Sequence, residues 1–243
     1  MINLTEVLVM VYERFIFPVE RSWHLPVDEK GRWRTFHPDD HMSPPIVWDG
    51  FVDAILPIHV EVFYIRGDTC ECWYPNKGWE IKDASMKKSL ERMMELSTGP
   101  VLYTEDGRII FNHQPMYHPH DECFIYTGTD PNNPLDLGGE VHIWLGLGER
   151  AEEHVITKPS LVWIPKGLVH TPIMFKNVRR PFLKIVIVPD YPYLIEHSVN
   201  EWPPNYKPSP PEPQGYIDLK TVKIVGPKPV HKFTYPSSKI TQT

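Results

Sequence analysis

The sequence predicts an all-β protein of the sandwich or jelly-roll class, with an additional N-terminal α+β segment and a Pro-rich C-terminal extension. Three observations predict it. From residue 101 onward, short runs of β-branched and aromatic residues recur at close intervals with turn residues between them, the pattern of a sandwich or jelly roll. The 243 residues include 27 prolines, about twice the usual share of roughly 5%, which favours turns over long helices. Only the stretch from Asp83 to Thr98 keeps a helical period.

Taken in order, residues 1–50 are dense in aromatic residues and proline (Trp23, Trp33, Trp48, Pro26, Pro44, Pro45) and hold neither period for long. Strands are expected at Phe51 to Ile58, Val60 to Arg66 and Cys70 to Tyr74. Asp83 can cap a helix whose Met86, Leu90, Met93 and Met94 share one face, and Gly99-Pro100 ends it. That methionine stripe reads as packing, since methionine fills irregular gaps. Val101-Leu102-Tyr103 and Arg108 to Phe111 flank a Glu105-Asp106-Gly107 turn and read as a hairpin. Strands follow at Glu122 to Tyr126, Glu140 to Leu145, His154 to Thr157, Leu161 to Ile164, His170 to Phe175 and Phe182 to Val188. The first two of these are separated by the turn-rich Thr129 to Gly139, a length that tends to be functional or to shape a barrel mouth. Residues 189–215, with Trp202-Pro203-Pro204 and Pro208-Ser209-Pro210-Pro211, are expected to run extended over the surface. Tyr216 to Val225 alternates as one more strand, added to a sheet edge in the same or a neighbouring subunit. Three units follow: an N-terminal segment (1–99), a β domain carrying the chemistry (100–190) and a C-terminal extension (191–243).

Hydrophobic and charged shares of 41% and 23% are ordinary for a globular chain. A net charge of −6 and a pI near 6.0 leave no footprint for nucleic acid or an anionic membrane. No apolar run approaches the ~20 residues of a membrane span. The short apolar run between Glu6 and Glu13 lacks the flanks of a signal peptide. Cys70, Cys72 and Cys123 form no disulfide framework and read as free thiols, which points to a reducing, cytoplasmic setting. Phosphate-loop, nucleophile-elbow and zinc-ribbon spacings are absent from the sequence.

Chemistry concentrates in Met116-Tyr117-His118-Pro119-His120-Asp121-Glu122 and in Pro165-Lys166-Gly167-Leu168-Val169-His170. If the first segment is a strand, His118, His120 and Glu122 share one face, and His170 reaches them from another strand. Imidazole and carboxylate converging in this way are ligands for Zn, Fe, Mn, Ni or Cu, without selecting among them. Three such groups buried separately would each forfeit ~1–3 kcal/mol, so a shared metal is the better account. A two-histidine, one-carboxylate set leaves coordination positions open, which suits catalysis more than a structural ion. His120 reads equally as a ligand or as an outer partner that orients ligands. Glu140 and His142 share a face that points either to the same cavity or to solvent. Arg179 and Arg180, beside Pro181, are surface charge or partners for a substrate carboxylate. His59, Glu61, Phe63 and Gly67 echo His120, Glu122, Phe124 and Gly128 at one offset, read as a shared strand pattern more than a second repeat.

The two segments resemble the two motifs of the cupin superfamily, commonly HxHPHDE and PxGxxH. Pro165, Gly167 and His170 match the second, and His118, Pro119, His120, Asp121 and Glu122 match the first from its second histidine onward. Met116 stands where the family usually has a metal-binding histidine. An alternative register begins at His113 but puts Pro115 in the second histidine's place. The resemblance covers roughly residues 100–190 and is similar to that of poorly characterised bacterial cupins. It implies a double-stranded β-helix, the cupin jelly roll or β-barrel, with residues 1–99 packed on it or forming a degenerate half. It implies His118, Glu122 and His170 as ligands of one divalent transition metal ion (Fe, Mn, Ni or Zn), a further contact being open among Met116, His113, His120 and Glu140. The implied function is a metal-dependent oxygenase, isomerase or lyase acting on a small organic acid or an enol- or phenol-type substrate. A non-catalytic small-molecule-binding cupin is the alternative, and a structural protein assembled through its Pro-rich tail a third reading. The expected partners are a small molecule and a second copy in a homodimer, with neither nucleic acid nor membrane.

Overall fold

The computed structural model describes residues 16–17, 42, 46–50, 56–71, 96–97, 101–104, 109–111, 115–199, 201, 203–204 and 224–225. Among the described residues fourteen strands are formed: β1 (Ile46–Trp48), β2 (His59–Ile65), β3 (Thr69–Cys70), β4 (Val101–Thr104), β5 (Ile109–Phe111), β6 (Met116–Tyr117), β7 (Glu122–Gly128), β8 (Glu140–Leu145), β9 (Glu152–Ile156), β10 (Ser160–Ile164), β11 (His170–Lys176), β12 (Phe182–Val188), β13 (His197–Ser198) and β14 (Ile224–Val225). They make one sheet in the order β1-β2-β12-β7-β10 and a second in the order β13-β6-β11-β8-β9, with β3 also paired to β11. All pairings are antiparallel, and β14-β4-β5 form a small third sheet.

Strand β12, Phe-Leu-Lys-Ile-Val-Ile-Val, shows why the two main sheets pack. Its odd positions, Phe182, Lys184, Val186 and Val188, are all buried, while the alternate ones are half-buried, as a period of two requires. β2 and β7 flank it, so Val186 lies between Glu61 and Phe124. The core takes Phe63, Ile65, Phe124, Tyr126, Phe182 and Val186 from this sheet and Val141, Ile143, Ile173 and Phe175 from the other. The chain is therefore the all-β two-sheet jelly roll that the motifs imply. The two sheets face each other without sharing a hydrogen-bonded edge among the described residues, so the structure is an open sandwich and not the closed β-barrel expected.

The edges differ in chemistry. β9 ends its sheet with Glu152, Glu153 and His154 exposed, charges that discourage further pairing. β10 ends the other with Ser-Leu-Val-Trp-Ile, where Leu161 is 61% and Trp163 50% exposed. The loop from Thr129 to Gly139 is anchored through Asp136, whose carboxylate accepts from the Gly138 N–H and from the guanidinium groups of Arg179 and Arg180 at 3.0 Å each. Both arginines therefore serve this loop.

Several expectations need correction or fall outside the described residues. Residues 56–58, at the end of the strand expected from Phe51, are not in a strand, because Pro57 has no N–H for a ladder. The sandwich draws β1, β2, β3 and β13 from outside residues 100–190. Residues 191–199 do not run over the surface: Leu194, Ile195, Ser198 and Val199 are buried, and β13 pairs with β6. β14 adds to β4 of the same chain. Of the expected helix, only Leu96, which is helical, and Ser97 are described. No helix among the described residues is long and apolar enough to cross a membrane.

Candidate metal centre

His118, His120 and Glu122 do not lie on one strand. β6 ends at Tyr117 and β7 begins at Glu122, so His118 to Asp121 form a bend in which the chain passes from one sheet to the other. Pro119 suits such a bend, since its fixed φ and missing N–H interrupt a ladder. The convergence therefore comes from opposite sheets and not from strand alternation. His118 hangs at the end of β6, Glu122 opens β7, and His170 opens β11.

The second motif is bonded to this bend. Gly167 donates its N–H to the His118 carbonyl at 2.8 Å, and Lys166 donates its N–H to Asp121 Oδ1 at 2.8 Å. Gly167 has φ 80°, a left-handed conformation glycine adopts without steric cost. His170 follows, and the register between β11 and β8 shifts immediately after it. Thr171 there has φ 69°, costly for a β-branched residue and a kind of local strain that gathers at functional sites.

Three atoms meet in the interior. His118 Nε2 lies 3.1 Å and His170 Nε2 3.3 Å from Glu122 Oε2, and the two nitrogens are 3.2 Å apart. All three side chains are 1–3% exposed. Each imidazole has its other nitrogen engaged: His118 Nδ1–H donates to the Ile195 carbonyl at 2.6 Å and His170 Nδ1–H to the Leu168 carbonyl at 3.2 Å. Those bonds select the tautomers that turn both Nε2 lone pairs inward, the usual support of a metal-binding histidine. Glu122 Oε2 is buried without a hydrogen bond of acceptable geometry, a costly orphan unless something else satisfies it. The centre of a triangle with these sides is about 1.9 Å from each corner, close to the roughly 2.0–2.1 Å of metal–nitrogen bonds. The three residues form the one metal-competent group of this kind among the described residues.

His120 is placed beside the group and not in it. Its Nε2 accepts the Ile195 N–H at 3.1 Å, and its Nδ1 faces the Asp121 carbonyl at 3.2 Å. Its ring stacks between His118 (centroids 5.0 Å apart, 11° between planes) and Tyr191 (5.1 Å, 30°). Met116 is paired directly with His170 across β6 and β11 and is 3% exposed, so its side chain shares the histidine's face. Glu140 and His142 belong to the outer side of β8, where His142 bonds Glu153 at 2.6 Å and Glu140 at 3.2 Å. His113 lies outside the described residues.

Charge follows this geometry. Burial alone would raise the Glu122 carboxyl, but the His118 charge holds it well below the usual range. Burial alone would lower His118, and Glu122 overrides that to bring it to about 9, so an ion that binds there displaces a proton from Nε2. Burial lowers His170. Burial and the neighbouring charge of His118 take His120 down to about 4.

Sequence reasoning missed the partners supplied from elsewhere. Residues 191–196 wrap the site through the Ile195 backbone and the Tyr191 ring, with no signal beyond proline content. Glu196 beside Ile195 is pushed up to about 7 by burial and by Glu61, Glu122 and Glu71, against the opposite pull of His118. Behind the triad, Lys184 is paired with Glu71 and lies over the rings of Phe124 (4.2 Å) and Phe63 (5.5 Å). His59 on β2 is held between Glu61 (3.1 Å) and Asp49 (3.7 Å). The echoing residues 59–65 and 122–128 lie on β2 and β7, which both pair with β12. Across β12, Glu61 and Phe124 both stand opposite Val186.

No family model matches the chain, and no curated protein does. Among solved structures, an oxalate oxidase studied for its mechanism is 12% identical with a TM-score of 0.34, over 69% of this chain and 60% of that one. A mutant of Bacillus subtilis oxalate decarboxylase is 8% identical with a TM-score of 0.34, over 64% and 27%. Hydroxypropylphosphonic acid epoxidase from S. wedmorenis is 10% identical with a TM-score of 0.31, over 68% and 62%. The matched part of this chain thus spans less than two thirds of each of these three proteins, and activity has to be argued from its own residues.

Proposed function

We propose that this chain is a metal-dependent cupin enzyme that binds one divalent transition metal ion (Fe, Mn, Ni or Zn) through His118 Nε2, His170 Nε2 and Glu122 Oε2. The observation that carries this is the triangle of those atoms, with both Nδ1 positions tied to backbone carbonyls and Glu122 Oε2 otherwise orphaned. A two-histidine, one-carboxylate set leaves positions for substrate. An ion held there supplies Lewis-acid polarisation of a substrate oxygen.

The remaining work falls to the chain. His118 and His170 present fixed lone pairs, and Glu122 supplies charge. His120 and Ile195 hold the His118 ring in place. Glu196, at about 7, is poised to hold or release a proton near neutral pH. These roles suit oxygenase, isomerase or lyase chemistry on a small oxygen-bearing molecule: an organic acid, an enol or a phenol. The uncharged β10 edge, with Leu161 and Trp163 exposed, supports a homodimer, and buried free Cys123 fits the cytoplasm.

Elemental analysis of protein purified without chelators, then reconstituted with Fe(II), Mn(II), Ni(II) or Zn(II), tests the reading. About one equivalent is expected, lost in His170→Ala while the circular dichroism spectrum stays β-rich. Well below half an equivalent in the reconstituted wild type overturns it.

A further inference from the structure

The two main sheets present unlike outer faces. On the sheet that ends in β8 and β9 the outward positions carry charge: Glu140 stands opposite Lys176, and His142 bonds Glu153. That is the ordinary division of an antiparallel sheet, with apolar residues on the core and polar ones toward water. The sheet β1-β2-β12-β7-β10 reverses it. Its inward positions include the charged Glu61, Glu122 and Lys184, opposite the core residues Val186, Ile164 and Phe63, whereas its outward positions are apolar.

Strand pairing sets these outward residues in rows. One row runs Trp48, Val60, Ile187, Cys123 and Trp163 across all five strands. The next runs Ile46, Val62, Ile185, Ile125 and Leu161. A shorter third row of Tyr64, Leu183 and Thr127 borders them. Ladder partners share a face and touch, so the rows form one continuous patch without a charged side chain. Leu161 is 61% and Trp163 50% exposed at its β10 end. Five strands and three rows cover roughly 24 Å by 20 Å in plan, and a contiguous apolar patch above a few hundred Å² marks an interaction site. Side-chain relief adds to that plan of roughly 500 Å², which brings it to the scale of the ~800 Å² each partner buries in a standard interface.

We propose that this face is the contact surface between two copies of the chain, packed sheet against sheet about a two-fold axis. A flat, uncharged face is complemented by another, and a two-fold contact sets one such patch against itself. Homodimer contacts are the more apolar class of interface, with charge depleted from their core. Twisted sheets pack in this way at about 30° and about 10 Å apart. Ile185 and Ile187 of the central strand β12 then lie at the middle of the contact, and Leu161 and Trp163 at its rim. The inference rests on the homodimer reading and gives it a surface, the broad face and not the β10 edge alone. Glu122 and Cys123 are neighbours on β7, so the contact backs directly onto the metal centre.

Light scattering and sedimentation of the full chain over a concentration series test it. The wild type should show twice the 28.4 kDa of one chain. Leu161→Lys at the rim and Ile125→Lys one strand further in should each weaken the dimer by about tenfold or more, because a lysine set into an apolar contact must be desolvated. Val155, 52% exposed on β9 of the other sheet, is the control, and Val155→Lys should leave the dimer unchanged. Circular dichroism reports folding, and Ile125→Thr, which keeps a branched side chain and should also weaken the dimer, replaces Ile125→Lys if that variant fails to fold. A dimer broken by Leu161→Lys but untouched by the Ile125 variant means pairing through the β10 edge; it overturns this surface and leaves the homodimer standing. A dimer lost in Val155→Lys and kept in the other two overturns it as well. A wild type that stays monomeric throughout removes the homodimer and its surface together, while elemental analysis still decides the metal centre separately.

Discussion

Asp121 and Lys166, 45 residues apart, are joined by a hydrogen bond of 2.8 Å from the Lys166 N–H to the Asp121 carboxylate. With the Gly167 N–H on the His118 carbonyl, it fastens the turn before His170 to the bend that carries His118. The two motifs are thus one mechanical unit, and the side chains of His118 and His170, on separate strands, are held to a common point.

Asp121→Ala should therefore act on the metal although Asp121 does not touch it. Loss of such a support typically lowers metal affinity roughly 10–100-fold, and stability should fall by about 1 kcal/mol. Competition with a chelating dye and thermal melts measure the two. Unchanged affinity would mean that the His170 turn is held without this bond.

Met116→His should tighten metal binding. Met116 pairs with His170 on the neighbouring strand and is buried on the same face, so an imidazole there can add a nitrogen ligand. A gain of roughly 10–100-fold is expected, by analogy with the effect of altering the supporting partners. Weaker or equal affinity in the dye competition would show that this side chain does not reach the ion.

His59 should make stability depend on pH above neutrality. Burial alone would lower its pKa, but the hydrogen bonds and charges of Asp49 and Glu61 raise it to about 9 from 6.5. A histidine raised in the folded state stabilises fully below its unfolded value, and that contribution is lost as pH climbs through about 9. The full contribution is on the order of 3 kcal/mol. Urea titrations of metal-saturated protein between pH 6 and 10 should show the decline, and His59→Gln should flatten it. Parallel curves for the two proteins would refute the assignment.

Trp163→Lys combined with Leu161→Lys should leave a monomer. Both residues are exposed on β10, a sheet edge without a charged residue, and a lysine on an edge is a common block to pairing. Light scattering should report half the wild-type mass. An unchanged mass would place the interface elsewhere.

The strands from Glu122 to Val188 were legible because alternation, turn residues and β-branched runs are local signals, and β7, β8, β10, β11 and β12 lie where these signals put them. His118, Glu122 and His170 were legible as chemistry, since imidazoles and a carboxylate flanking Pro119 and Gly167 suit a metal better than a core. The reason for their meeting was not legible. Alternation along one strand would have brought His120 in with them, whereas the bend at 118–121 passes between two sheets and turns His120 toward Ile195 and Tyr191. The wrapping segment 191–199 carries no pattern that distinguishes it from a surface run. Its burial comes from Ile195 accepting from His118 and donating to His120 across more than seventy residues. The sequence by itself determined the strands and the kinds of side chain that meet at the centre, because those depend on neighbours along the chain. Which nitrogens face inward, which carboxylates surround them and how Lys184 is neutralised were decided by the tertiary structure, because hydrogen bonds and charges act through space.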